Sequence, residues 1–177
     1  MADIDFESLI ASIPDYPEPG VIFKDITTLL KDPEGFKAAI GEIVAQFKDA
    51  GVTKVVGAEA RGFIMGAPVA YALGAGFVPA RKPGKLPREV YSEDYELEYG
   101  SASLEIHTDA LESDDRVLLV DDLAATGGTV AAQVKLVEKF GAKVVGMAFL
   151  MELDFLEPEK KIREVSDAPM FSLVHVK

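Results

Sequence analysis

The chain has no cysteine among its 177 residues, which excludes both a disulfide framework and a metal site built from thiolates. It also has no apolar run of membrane-spanning length, and no basic segment followed by an apolar stretch near its start. The sequence therefore lacks the usual signals of a membrane helix and of a secretory leader. We accordingly expect a cytoplasmic protein with no membrane partner.

Positive charge is scarce, since 18 lysine and arginine residues stand against 30 aspartate and glutamate residues, for a formal net charge of −12. A nucleic-acid-binding protein normally carries a basic stripe, so this balance argues against a nucleic-acid partner. It does not exclude a phosphorylated ligand, because local charges and a metal ion can govern a site. The length and a hydrophobic fraction of 49% predict one globular domain over residues 1–177.

Short apolar segments alternate with segments of helical periodicity through the middle of the chain. The apolar segments, which predict strands, are 52–58, 77–80, 101–106, 117–120 and 143–150. The helical segments are 5–13, 32–50, 62–73 and 130–140, the second opened by Asp32 as a cap. Because alternating strands and helices form parallel sheets with helices on their faces, we predict an α/β fold with a mostly parallel central sheet flanked by helices.

Residues 81–100 interrupt this alternation with a polar stretch that predicts a loop or a mobile hairpin. It opens with the cations Arg81, Lys82 and Lys85, which could bring positive charge to an anionic group. The alternative is a solvated basic loop that balances the acidic surface. Later in the stretch, Glu98 is a candidate proton carrier, although a lone glutamate among acidic residues is more often only solvated.

The most informative segment runs from Val117 to Thr129, where an apolar strand ends in two carboxylates and a small-residue turn precedes a helix. Such a turn directs backbone N–H groups and the positive end of the helix dipole at an anion. The residues suited to hold a phosphate there are Ala125, Thr126, Gly127, Gly128 and Thr129. The turn has no lysine before Thr129, so it is not a P-loop of the Walker type.

Asp121 and Asp122 would repel a phosphate, but carboxylates accept hydrogen bonds strongly from vicinal hydroxyls beside it. A ribose 5-phosphate satisfies both halves of the motif. The alternative is an ordinary crossover with a solvated pair of aspartates.

Two other segments could reach the same edge of the sheet. Arg61, in the segment Glu59-Ala60-Arg61, can form two parallel hydrogen bonds to a phosphate. The alternative is a surface arginine paired with Glu59. Ile22 and Phe23 could sandwich a flat heterocycle, although the pattern alone favours core packing for both. His107 and His175 have no neighbours in sequence that suggest a triad or a metal pair, so we assign them structural or surface roles.

The motif at Val117–Thr129 resembles the binding motif for 5-phosphoribosyl 1-pyrophosphate (PRPP) of type I phosphoribosyltransferases. Four further segments resemble the adenine-using branch of that family, in order and at its spacing. They are 19–26, 59–63, 81–87 and 95–100. The resemblance implies transfer of a phosphoribosyl group from PRPP to adenine, giving AMP and pyrophosphate, with Mg²⁺ held mainly through PRPP and water.

The resemblance also implies a role for each matching residue. Asp121 and Asp122 would bind the ribose hydroxyls, and residues 125–129 the 5-phosphate. Pyrophosphate would be bound by Glu59, Ala60, Arg61, Arg81, Lys82 and Lys85. Ile22, Phe23 and Lys24 would line the adenine pocket, with lysine at position 24 where many relatives carry arginine. Glu98 would handle the proton at purine N7, and Tyr99 would belong to the flexible loop 81–100.

The family pattern further implies a homodimer, a small hood over the base formed by residues 1–30 and 151–177, and a non-proline cis peptide between Glu59 and Ala60. Two alternatives stay open. The chain could be a phosphoribosyltransferase for another base, or a regulator that senses PRPP without catalysis.

Overall fold

The fold is described from a computed structural model, in which residues 4–97 and 100–177 are placed. Its centre is a five-stranded parallel sheet in the order β4-β3-β7-β8-β9. These strands are Lys54–Ala58 (β3), Gly76–Ala80 (β4), Arg116–Ala124 (β7), Lys143–Leu153 (β8) and Met170–Val176 (β9). Two antiparallel pairs lie outside it: Ala11–Pro14 (β1) with Ile22–Asp25 (β2), and Val90–Glu96 (β5) with Ser101–His107 (β6).

Helices cover both faces of the sheet, because each central strand sends alternate apolar side chains to opposite sides. On one face Val55 and Leu118 belong to a core with the helices Pro33–Phe47 (α2) and Arg61–Leu73 (α3). On the other face Val56 and Leu119 pack in a second core with the helix Gly128–Glu138 (α4). Two shorter helices are Thr27–Leu30 (α1) and Pro158–Arg163 (α5). The predicted α/β fold, with its parallel sheet flanked by helices, is confirmed.

The prediction of a helix over residues 5–13 is wrong. A single 3-10 turn at Glu7–Leu9 is followed by β1, which pairs with β2. Thr28 competes with helix formation, since its hydroxyl donates to the carbonyl oxygen of Leu9 at 2.7 Å and accepts from the N–H of Ala11 at 3.1 Å. Pro14 then closes the short strand, and no local pattern of apolar residues announces this pairing.

The predicted polar excursion at 81–100 contains a strand, β5, which forms a hairpin with β6. The chain after residue 150, for which periodicity predicted nothing, supplies the end of β8, the helix α5 and the edge strand β9.

Within the residues described, no helix is both long and apolar enough to cross a membrane.

Candidate active site

A cleft of about 230 Å³ opens where the carboxyl ends of β3 and β7 lie side by side. It is lined by most of the residues that the sequence predicted for phosphate, sugar and pyrophosphate: Glu59, Ala60, Arg61, Lys82, Asp121, Asp122, Ala125, Thr126, Gly127, Gly128 and Thr129. The other predicted residues within the described part, Ile22, Phe23, Lys24, Arg81 and Lys85, do not line this cleft. Glu98 and Tyr99 lie outside the described residues.

The turn from β7 into α4 has the geometry of an anion cradle. Gly127 has a left-handed φ of 83°, and a Cβ there would lie 2.6 Å from the carbonyl oxygen of Pro158. A Cβ on Gly128 would lie 3.2 Å from the carbonyl oxygen of Glu96. Within the described chain no side chain caps the first turn of α4, so its backbone N–H groups and the positive end of its dipole stay available to an anion.

Asp121 and Asp122 are buried at the end of the central strand, with 8% and 5% of their surface exposed. The backbone N–H of Asp122 donates to Oδ1 of Asp121 at 2.8 Å. Burial raises the pKa of Asp121 well above its usual range, and the neighbouring charge of Asp122 raises it further. The first carboxyl can therefore hold a proton more tightly than an ordinary aspartate.

Arg61 faces the acid pair from the first turn of α3. Its Nε lies 2.9 Å from Oδ2 of Asp122, the distance of an ion pair, yet no donor in the described chain is aligned to hydrogen-bond that oxygen. A buried carboxylate oxygen without a donor is rare in folded proteins. It suits a ligand hydroxyl or a water held by a divalent cation, so the donor set fits Mg²⁺ bound through substrate and water.

The same arginine links the acid pair to the β1–β2 hairpin. The guanidinium carbon of Arg61 lies 5.7 Å from the centre of the Phe23 ring, and Tyr16 meets that ring edge-on at 5.3 Å. Ile22 is 63% exposed, and Nζ of Lys24 donates to the Ser12 hydroxyl at 2.9 Å. Phe23 and Ile22 thus lie beside the cleft rather than in the core.

Glu59 fixes the start of the segment that follows β4. Its Oε1 accepts from the backbone N–H of Lys82 at 2.7 Å and from Nε of Arg81 at 3.2 Å. Burial alone would raise the pKa of Glu59, but these hydrogen bonds and the Arg81 charge outweigh it and hold the pKa below its usual value. The peptide between Glu59 and Ala60 is cis, as the family pattern implied.

The cleft residues to which the sequence analysis gave no role include Tyr95 and Leu104, which come from the β5–β6 hairpin. Periodicity did not find β5, because charged and polar residues alternate with its two tyrosines over most of its length. Tyr91, Glu93 and Tyr95 are spaced two residues apart, and this spacing is the signal that could have predicted a strand with all three side chains on one face.

Glu152, Asp154 and His175 form a second titratable cluster, with ligand atoms within 4.8 Å of one another. Nδ1 of His175 lies 2.8 Å from Oδ1 of Asp154, and the Ser172 hydroxyl donates to Oε2 of Glu152 at 2.8 Å. These internal partners account for the arrangement, in keeping with a structural role for His175.

Comparison with known proteins finds relatives over nearly the whole chain. The pattern of the phosphoribosyl transferase domain matches residues 26–171. The chain is 55% identical to the adenine phosphoribosyltransferase of Desulfitobacterium hafniense (strain Y51) over 174 residues, covering 98% of this chain and 99% of the relative.

Two solved structures share the fold over nearly all of the chain. The adenine phosphoribosyltransferase of Thermoanaerobacter pseudethanolicus superposes with a TM-score of 0.91 at 48% identity, covering 97% of this chain and 98% of that one. The enzyme of Giardia lamblia, in complex with 9-deazaadenine, gives a TM-score of 0.92 at 39% identity, with 98% and 97% covered.

Proposed function

The chain belongs to the adenine phosphoribosyltransferase family, and we propose that it serves purine salvage by transferring the 5-phosphoribosyl group of PRPP to adenine, with AMP and pyrophosphate as products. One observation carries this assignment: a buried acid pair lies among the last residues of the central strand, a few residues before an uncapped helix N-terminus. A carboxylate pair suits two sugar hydroxyls, and the helix N-terminus suits a phosphate on the same sugar.

The cleft supports a role for each group of residues. Asp121 and Asp122 accept the ribose hydroxyls, and the 5-phosphate lies against the backbone of residues 125–129 and the hydroxyls of Thr126 and Thr129. Arg61 and Lys82, which line the cleft, meet the pyrophosphate together with the backbone at Glu59 and Ala60. Arg81, held by Glu59, and Lys85 add positive charge from the adjoining turn.

We place adenine beside Phe23, on the side of Arg61 that faces away from the acid pair. The hood proposed over the base consists of residues 1–30 and 151–177, which contain the β1–β2 hairpin and β9. Ile22 offers an exposed aliphatic surface, and the Lys24 ammonium is held by the Ser12 hydroxyl on the same hairpin. Lysine offers a point charge rather than a planar fork, so contacts at position 24 differ from those of an arginine.

In the reaction, the bond between ribose C1 and the pyrophosphate oxygen breaks, and its electron pair leaves with pyrophosphate. Arg61 and Lys82 stabilise the departing negative charge. A lone pair of adenine N9 forms the new bond to C1, and adenine loses one proton overall. From the family motif we propose that Glu98 receives the N7 proton and that Tyr99 belongs to the loop around it. Bound Mg²⁺ would supply further neutralisation of the pyrophosphate charge.

We further propose a cytoplasmic homodimer. PRPP and AMP are multiply charged and do not cross a bilayer unaided, which favours the compartment where they are made. For the dimer, helix α3 has no charged residue after Arg61, and it exposes Ile64 at 43% and Tyr71 at 89%. These residues lie seven apart and so share one face, an apolar surface that suits a second copy of the chain.

The test is to measure AMP and pyrophosphate formation from PRPP and Mg²⁺, comparing adenine with hypoxanthine, guanine, xanthine and orotate. We expect turnover with adenine and little with the other bases. Turnover with another base would keep the phosphoribosyl transfer and overturn the choice of base. PRPP binding without turnover on any base would instead identify a PRPP-sensing regulator.

A further inference from the structure

The β5–β6 hairpin places a charged residue on a face that is otherwise aromatic and aliphatic. Glu93 lies between Tyr91 and Tyr95 in β5 and directly opposite Leu104 in β6. Alternate residues of a strand, and residues opposite each other in an antiparallel pair, point to the same side of the sheet. The Glu93 side chain is only 20% exposed, so its charge needs partners.

Those partners lie on α4 and at its C-cap, Lys139. Oε1 of Glu93 lies 3.6 Å from Nζ of Lys135, and Oε2 lies 3.2 Å from Nζ of Lys139. The two lysines are one helical turn apart and repel each other. A carboxylate between them reduces that repulsion, and the lysines in turn compensate the partly buried charge of Glu93. A single side chain thereby joins the hairpin to two points of the helix.

The tyrosines on either side of Glu93 contact the two ends of α4. The Tyr91 ring meets the Phe140 ring edge-on, with centroids 5.0 Å apart. At the other end, Cδ2 of Tyr95 lies 3.5 Å from where a Cβ on Gly128 would be. Strand and helix therefore run antiparallel through three contacts, with the ion pairs in the middle.

This docking decides where one wall of the cleft lies. A two-stranded hairpin is marginally stable alone, so its position depends on its contacts with the helix. The two ion pairs oppose sliding of the hairpin along the helix, because a shift of one residue, about 3.3 Å along the strand, carries the Glu93 carboxylate out of reach of one of the two lysines. Glu93 is thus placed to fix the register at which Tyr95 and the Glu96 carbonyl meet the turn at Gly128.

We propose that Glu93 is a positioning residue for PRPP binding: held between Lys135 and Lys139, it sets the register at which Tyr95 closes the cleft beside the 5-phosphate turn. The proposal rests on the function proposed above. It predicts an effect on the phosphate end of the site rather than on the base, because Tyr95 and Gly128 both line the cleft at that turn.

The test compares Glu93→Gln with Asp94→Asn, which removes the same charge one residue away on the opposite face. Asp94 is exposed and accepts a hydrogen bond from Ser103, which asparagine can still accept. We expect Glu93→Gln to raise KM for PRPP about 3- to 10-fold, the range for two partly exposed ion pairs, with KM for adenine unchanged. Asp94→Asn should match the wild type.

Two further readouts separate positioning from a general loss of stability. The ratio of KM for PRPP between Glu93→Gln and wild type should fall towards one as KCl is raised, because salt screens the wild-type pairs. The swap Glu93→Lys with Lys135→Glu and Lys139→Glu should recover a low KM for PRPP. Equal rises in both KM values, or no change in KM for PRPP, would overturn the proposal.

Hydrogen exchange makes the test independent of activity. Amides of β5 should exchange faster in Glu93→Gln than in Asp94→Asn, while those of β7 should be unchanged. If the wild type forms no AMP, the proposed function fails, and this comparison still reports on the docking of the hairpin. Identical exchange of β5 in the two variants would rule out Glu93 as the residue that holds it.

Discussion

At the residue scale, the candidate site contains a carboxyl whose burial opposes folding. Asp121 lies at the end of the central strand beside a second carboxyl, and its raised pKa reflects the cost of ionising it there. Asp115, at the other end of the same strand, is also buried, but its pKa is lowered. Burial alone would raise that pKa, but the Thr53 hydroxyl, the N–H of Glu112 and Lys54 outweigh the effect. Asp115 is thus stabilised in its charged form by hydrogen bonds and a cation, whereas Asp121 is buried against a second carboxyl.

The opposite pKa shifts predict opposite effects of neutral substitutions. Because the folded pKa of Asp121 is raised, its contribution to stability is lost as pH rises from about 3.8 through the folded value. Asp121→Asn should therefore raise Tm at pH 8 by about 2–6 °C, with the gain vanishing as pH falls towards 4, and it should weaken PRPP use.

Asp115→Asn provides the matched comparison for that prediction. The lowered pKa means that the Asp115 contribution is present above about 3.8 and is lost as pH falls through the folded value. This variant should lower Tm at pH 8 by about 2–6 °C. Thermal melts of both variants and the wild type across pH test these predictions. A lower Tm for Asp121→Asn than for the wild type at pH 8 would contradict the raised pKa of Asp121.

Glu98 is the residue-scale prediction for chemistry. If it receives the N7 proton, Glu98→Gln should slow turnover by about 100-fold or more while leaving KM for PRPP and Tm close to wild type. Single-turnover measurements with adenine would report the chemical step directly. An unchanged chemical rate would remove Glu98 from this role, and Glu89→Gln serves as a control for loss of charge from the same segment.

At the scale of elements, helix α3 is positioned by its closeness to the acid pair. Gly62 has no room for a side chain, since a Cβ there would lie 2.8 Å from Oδ1 of Asp121 and 3.3 Å from the carbonyl oxygen of Val120. The first turn of α3 can therefore bring Arg61 against Asp122 only with glycine at position 62. The Gly41 position in α2 offers a contrast, because in the described part of the chain no atom outside the local helix backbone lies within 4 Å of where a Cβ would be.

Alanine at these two helical glycines should act in opposite directions. Gly41→Ala should stabilise the protein by about 0.5–1 kcal/mol, the difference in helix propensity, with unchanged kinetics. Gly62→Ala has the same propensity gain but must displace the Asp121 carboxyl, so we expect KM for PRPP to rise about 10-fold or more. Kinetics and chemical denaturation on both variants test this, and normal PRPP use by Gly62→Ala would show that the acid pair tolerates displacement.

Much of this arrangement could be predicted from local sequence. The segment Val117–Thr129 predicted the central site, because its strand, acid pair and small-residue turn are adjacent in sequence. Carboxylates suit sugar hydroxyls, and small residues let the backbone approach a phosphate. The cap at Asp32 and the helical spacing of apolar residues predicted α2, and a run of small and apolar residues predicted α3. The first strand was missed because Thr28, distant in sequence, satisfies its backbone. The strand β5 was missed because its inward face includes a charge whose partners, Lys135 and Lys139, lie 42 and 46 residues further along.

At the scale of the whole molecule, the uncharged face of α3 is the surface on which we place the contact with a second copy of the chain. If Ile64 and Tyr71 pack against a second copy, the protein should sediment as a dimer. Replacing both by glutamate should then yield a folded monomer, because buried charge without partners is costly. Ala45→Glu, on the exposed side of α2, should leave the dimer intact. A wild type that sediments as a monomer at micromolar concentration would contradict the dimer.

The cleft is formed by two strand-to-helix segments, β3 to α3 and β7 to α4, and their helices pack on opposite faces of the sheet. Helix α3 packs with Val55 and Leu118 on one side of the sheet, and α4 packs with Val56 and Leu119 on the other. A substrate that contacts the first turn of each helix therefore links the two layers, the core with α3 on one face of the sheet and the core with α4 on the other. Each layer alone has only half of the ligand's contacts, so bound substrate should couple their unfolding into a single step and protect both layers from local opening.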